Sequence, residues 1–138
     1  MSEDHGTSHV SIVDKFGNAA SISATVNMFF GSKVVSAKTG IILNDEMDDF
    51  SSNYTNAFDV PPSEHNLIES GKRPLSSMCP SIFTDPSGNV RLIIGASGGT
   101  KITTAVALIA IRHLWMNETI KHAIDWPRIH HQLFPNEV

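Results

Sequence analysis

Between positions 44 and 81 the chain has no sustained helical or strand periodicity, and Pro61, Pro62, Gly71, Pro74 and Pro80 interrupt it repeatedly. This span restricts the fold more than any other feature. Non-periodic stretches of this length inside a compact domain are either disordered or functional loops. Disorder calls for few large apolar residues, whereas this span carries Met47, Phe50, Phe58, Leu67, Ile68, Leu75 and Met78. It is therefore read as long, ordered loops that carry function.

Elements of regular period flank these loops. From His9 the sequence alternates through His-Val-Ser-Ile-Val-Asp, turns at Lys15–Asn18, and continues rich in small, β-branched and apolar residues from Ala19 to Phe30. This pattern predicts an opening β-hairpin. Short apolar runs follow at Val34-Val35 and Ile41–Leu43. Ser81–Thr84 and Val90–Gly95 read as a second hairpin across the turn formers Asp85-Pro86-Ser87-Gly88-Asn89. From Thr100 to Trp115, Ile102, Val106, Ile109 and His113 fall on one stripe with Ala105 and Leu108 beside it, which predicts a buried helix. Asn117 is a suitable cap for a shorter helix through Asp125, which must stop before Pro127. Strands, loops, strands and then helices argue for α+β with a mainly antiparallel sheet, rather than alternating βαβ units.

Composition narrows the partners. The chain has 138 residues, enough to bury one core, and 41% of them are hydrophobic. A chain of this size buries roughly 68% of its unfolded surface without staples. Ten Lys and Arg against 14 Asp and Glu give a formal charge of −4, so there is no electrostatic footprint for nucleic acid or anionic lipid. No apolar run reaches the length of a membrane span, and the opening Met-Ser-Glu-Asp-His-Gly is unlike a signal peptide. Cys79, the only cysteine, has no partner for an intramolecular disulfide. The seven His residues lack ligand spacing, so no metal is expected, and no cofactor.

Three local patterns bear on chemistry. Gly95-Ala-Ser-Gly-Gly-Thr-Lys101 joins an apolar strand to a helix, where backbone N–H groups can face an anion or an oxyanion. Its Lys and Thr stand in the wrong order for a phosphate loop, which leaves an oxyanion cradle or a plain tight turn. The acidic run Asn44–Asp49 lacks the Gly and Glu of a calcium loop. Held against a core by Met47 and Phe50, it suits either solvent or a substrate ammonium. Ser76-Ser77-Met78-Cys79-Pro80 offers donors suited to a carboxylate, although Ser pairs also cap turns.

Taken in order, Gly6-Thr7-x-His9-x-Ser11, Ser23-Ala24-Thr25-Val26-Asn27, Asn44–Phe50, Pro74–Pro80, Gly95-Ala96-x-Gly98-Gly99-Thr100 and Pro127-Arg128-x-His130-x-Gln132-Leu133 closely resemble the small subunit of γ-glutamyltransferases, also called glutathione hydrolases. The resemblance extends from about Gly6 to Pro135. It implies the four-layer αββα sandwich of N-terminal nucleophile hydrolases and a precursor that cuts itself at Gly6–Thr7. Thr7 would then be both nucleophile and, through its freed α-amine, base. Thr25 would orient Thr7, and the Gly98 and Gly99 amides would form the oxyanion hole. Asn27, Glu46 and Asp49 would hold the donor's α-amino group, and Ser76 and Ser77 its α-carboxylate.

The same resemblance implies γ-glutamyl transfer from glutathione and related γ-glutamyl compounds to water or to amino acid or dipeptide acceptors. It implies a heterodimer with the large subunit of the same precursor, at the cell surface or outside the cell. It divides the chain into a pre-cleavage segment, 1–6, and an incomplete catalytic region, 7–138, that lacks the closing strands usual in family small subunits. The competing expectation is a light-chain-only protein without activity that acts, if at all, by binding a large-subunit-like partner.

Overall fold

The computed structural model describes residues 6–138, so the expected pre-cleavage segment lies outside the described residues except for Gly6. Strand β1 (Thr7–Val13) pairs antiparallel with β2 (Ala19–Thr25), in a register that sets Thr7 opposite Thr25, His9 opposite Ser23 and Ser11 opposite Ser21. Strands β3 (Ser81–Thr84) and β4 (Val90–Ile94) form the second hairpin. Both turns use one device. The Asp14 carboxylate accepts the Phe16 and Asn18 amides at 2.8 and 2.9 Å, and Asp85 accepts those of Ser87 and Asn89, both at 2.9 Å. Gly17 and Gly88 take the left-handed position in each turn. Hydrogen bonds from Asn18 and Asn89 hold the two carboxyls below their ordinary value.

β2 ends at Thr25 rather than running to Phe30. Asn27, Phe30, Gly31 and Lys33 all have φ between 50° and 72°, a left-handed run that no strand accommodates. The span read as loop, 44–81, is loop up to Pro80, with two short 3-10 turns at Glu46–Asp49 and Glu64–Asn66.

Helix α1 (Lys101–Leu114) buries Ile102, Val106, Ile109 and Ala110 against Leu92, Ile94 and Ala123. His113, the fourth residue of the expected stripe, is only half-buried, and its Nδ1 lies 2.8 Å from the Glu118 carbonyl. Helix α2 (Ile120–Asp125) is capped by Thr119, whose hydroxyl accepts the His122 amide at 3.2 Å, and not by Asn117. Asn117 has φ 57° and belongs to the link between the helices. Arg112 fastens the pair, 2.6 Å from Glu118 and 3.8 Å above the Trp126 ring.

The β1–β2 hairpin has its polarity turned about. Its half-buried face is a stripe of hydroxyls and one imidazole (Thr7, Thr25, His9, Ser23, Ser21), and Ser21 Oγ donates to the Ile94 carbonyl at 3.2 Å. Its opposite face leaves Val10, Ile12 and Ile22 46%, 49% and 51% exposed. The polar face therefore points at β4 and the turn that follows it, which is where a reaction centre can be assembled.

Candidate active site

Thr7 opens β1, and its hydroxyl donates to Thr25 Oγ1 at 2.9 Å. The Thr25 hydroxyl also accepts the Asn27 amide at 2.8 Å and donates to the Gly6 carbonyl at 3.3 Å. The same carbonyl accepts the Val26 amide at 3.0 Å. One hydroxyl thus touches both the Thr7 side chain and the carbonyl on the other side of the Gly6–Thr7 bond. A Cβ on residue 6 would lie 2.2 Å from the Asn27 carbonyl oxygen, so only glycine fits there.

Asn27 is buried, with a left-handed backbone that Asp45 stabilises. The Asp45 carboxylate accepts the Met28 amide at 3.0 Å, its amide donates to Val26 O at 3.3 Å, and its carbonyl accepts from Asn27 Nδ2 at 3.3 Å. Asp45 was not singled out in the sequence, where it is one of four neighbouring acids. What separates it is a role as turn fastener rather than ligand.

The following 3-10 turn brings Glu46 and Asp49 side by side. Partial burial pushes the Asp49 carboxyl up from 3.8 to about 7, with further contributions from the charge and hydrogen bond of Glu46 and the charges of Asp48 and Asp45. A cation arriving beside this pair reverses that push.

The Gly95–Thr100 turn lies close under the hairpin. Gly95 packs against the His9 ring so tightly that a Cβ there would lie 2.2 Å from Nδ1. That ring is held between Ser23 Oγ at 2.9 Å and Ser11 Oγ at 3.0 Å. Gly98 and Gly99 have φ of 131° and 58°, and their carbonyls accept the Lys101 and Ile102 amides at the start of α1. Their own N–H groups are not engaged among the described residues. Thr103 Oγ1 donates to the Ser77 carbonyl at 3.2 Å, tying the serine pair to α1.

These elements enclose a cavity of about 330 Å³. Thr7, Thr25, Asn27, Asp49, Ser76, Ser77 and Gly99 all line it. Glu46, Gly98 and Gly6 are not among the lining residues; Glu46 is hydrogen-bonded to Asp49, and Gly98 and Gly6 are chain neighbours of Gly99 and Thr7. Residues not foreseen share the wall, among them Tyr54, Phe58, Val60, Pro61, Pro62 and Asn66. No group of three or more potential metal ligands occurs among the described residues.

A hydroxyl at the first strand residue, glycine amides unengaged among the described residues, a carboxyl and paired serines thus border one cavity, and the fold is that of the N-terminal nucleophile hydrolases. The model of the gamma-glutamyltranspeptidase family matches residues 1–138, and the chain belongs to that family. It is 54% identical over 136 residues to Scoloptoxin SSD14 of Scolopendra dehaani, covering 98% of this chain and 24% of that protein. It is 45% identical to glutathione hydrolase proenzyme 1 of Schizosaccharomyces pombe, covering 98% of this chain and 21% of that one. The solved gamma-glutamyltranspeptidase of Pseudomonas nitroreducens complexed with L-DON superposes with a TM-score of 0.88 at 48% identity, over 92% of this chain and 66% of that chain. The chain thus spans about a quarter or less of the length of these two curated relatives.

Proposed function

We propose that this chain is the catalytic part of a γ-glutamyl transferring enzyme that becomes active when the Gly6–Thr7 bond is cut. The observation that carries the reading is one cavity bounded by the Thr7–Thr25 hydroxyl pair, the Asp49 carboxylate and the Ser76–Ser77 pair. In the uncut chain Thr7 Oγ1 attacks the Gly6 carbonyl carbon, whose oxygen already accepts from Val26 and Thr25. The acyl group passes from nitrogen to oxygen. Water then cleaves the ester, freeing the Gly6 carboxylate and the Thr7 α-amine.

An α-amine with a pKa of about 8 is suited to take the proton of its own hydroxyl near neutral pH. Thr7 next attacks the γ-carbonyl of the donor, held by its ammonium on Asn27, Glu46 and Asp49 and by its carboxylate on Ser76 and Ser77. The developing oxyanion is stabilised by the Gly98 and Gly99 amides. With glutathione as donor, cysteinylglycine leaves with the proton that Thr7 gave up. Water, an amino acid or a dipeptide then removes the γ-glutamyl group from Thr7.

The exposed apolar face of the β1–β2 hairpin supports a heterodimer, with that face covered by the large subunit of the same precursor. By family resemblance the assembled enzyme acts at the cell surface or outside the cell. The test is amine release from a γ-glutamyl anilide by this chain alone and with a family large subunit supplied. Release only in the assembled form is expected. No release in either form, with the Gly6–Thr7 bond intact, overturns the reading in favour of a light-chain-only binding protein.

A further inference from the structure

Asn66 is one of two buried polar residues of the described chain, 6% exposed, and it belongs to neither loop that bears the proposed ligands of the donor. Its side chain joins both. Nδ2 donates to the Asp49 carbonyl at 2.7 Å and to Ser51 Oγ at 3.4 Å, and Oδ1 accepts the Leu75 amide at 2.9 Å. Only this orientation of the carboxamide satisfies all three partners, since a carbonyl can only accept and a backbone N–H can only donate. The Asn66 backbone is fixed as well: its amide donates to the Ser63 carbonyl at 3.0 Å and its carbonyl accepts the Ser51 amide at 2.9 Å.

Asp49 therefore hangs from one end of this carboxamide, and Leu75, directly before Ser76 and Ser77, hangs from the other. A donor carrying an ammonium and a carboxylate on one carbon engages both sides at once only if the two loops keep a fixed separation. We infer that Asn66 is a positioning residue that sets this separation, so that recognition of α-amino acid donors in preference to singly charged acyl groups depends on it. The inference rests on the donor site proposed above and assigns that site a determinant outside its ligands.

The experiment uses the chain assembled with a family large subunit and two variants, Asn66→Ala and Asn66→Asp. The second keeps an acceptor for Leu75 and sets a negative oxygen against the Asp49 carbonyl. The KM for a γ-glutamyl anilide is expected to rise about tenfold or more, with kcat per processed chain held within about twofold, because binding geometry and not the reacting groups has changed. The inhibition constant of glutamate should rise in parallel. Those of glutarate and 4-aminobutyrate, which engage one side each, should move less than about twofold, the separation being irrelevant to them.

A KM unchanged in a folded variant, an equal rise for all three competitors, or loss of folding in both variants overturns the inference. Absence of turnover in the unmutated assembly is a different failure, that of the donor site itself.

Discussion

Burial beside Glu46 raises the Asp49 carboxyl, and replacing this residue should separate stability from function. Its value in the folded chain, about 7 against an ordinary 3.8, arises first from burial and then from Glu46 and the neighbouring acids. The folded chain holds this proton more tightly than the unfolded one. Deprotonation therefore removes stability progressively as pH climbs from about 4 to about 7. Were the group dry, the displacement would correspond to about 4 kcal/mol; because it is only half-buried, solvent screening reduces this to roughly 1–2 kcal/mol. Asp49→Asn imitates the protonated form. In urea unfolding without ligand, the variant should equal the parent near pH 4 and exceed it by roughly 1–2 kcal/mol at pH 8. The same substitution should raise the KM for a γ-glutamyl anilide, and the parent's KM should rise as pH falls through about 7. A stability difference that is flat with pH would refute the raised value assigned to this carboxyl.

Three further outcomes follow from contacts of Thr7 and of His9 on the same hairpin face. Thr25→Val removes the hydroxyl shared by Thr7 and the Gly6 carbonyl, and should slow both bond cleavage and turnover by roughly 10²-fold or more, followed by mass spectrometry and anilide assay. Gly6→Val meets the Asn27 carbonyl at 2.2 Å. It should block cleavage of the bond before Thr7 in the assembled protein, whereas a chain produced directly with Thr7 at its N-terminus, which lacks residue 6, should release amine once assembled with a large subunit. Gly95→Ala drives a methyl into the His9 ring and should lower thermal stability by about 1–3 kcal/mol, with partial recovery when His9→Ala is added; no recovery would show that the clash lies elsewhere.

What was legible in the sequence was whatever depends on local chemistry. The Asp14 and Asp85 turns, the second hairpin and the α1 stripe follow from turn formers and periodicity. The candidate site residues came from the family resemblance that the ordered motifs carry, and Thr7, Thr25, Asn27, Asp49, Ser76, Ser77 and Gly99 line one cavity. The rest rests on contacts between distant residues. Nothing local distinguishes Asp45, which fastens the Asn27 turn, from the acids beside it. Asn66 in a loop looks like any polar residue until Asp49 and Leu75 are brought to its two ends. The end of β2 was misplaced because residues 26–30 have strand-like composition, while Thr25 Oγ1 captures the Asn27 amide and turns the backbone left-handed. Thr119 displaced Asn117 as the α2 cap because Asn117 was already committed to the left-handed link after α1.

The central claim is that Thr7, once freed, carries the acyl group. Its most direct test is intact-mass and peptide mapping of the chain assembled with a large subunit, before and after treatment with an electrophilic glutamine analogue. Loss of residues Met1–Gly6 and a single adduct on Thr7 are predicted. An intact Gly6–Thr7 bond, or an adduct on Cys79, Ser76 or any other residue with Thr7 unmodified, would contradict the account.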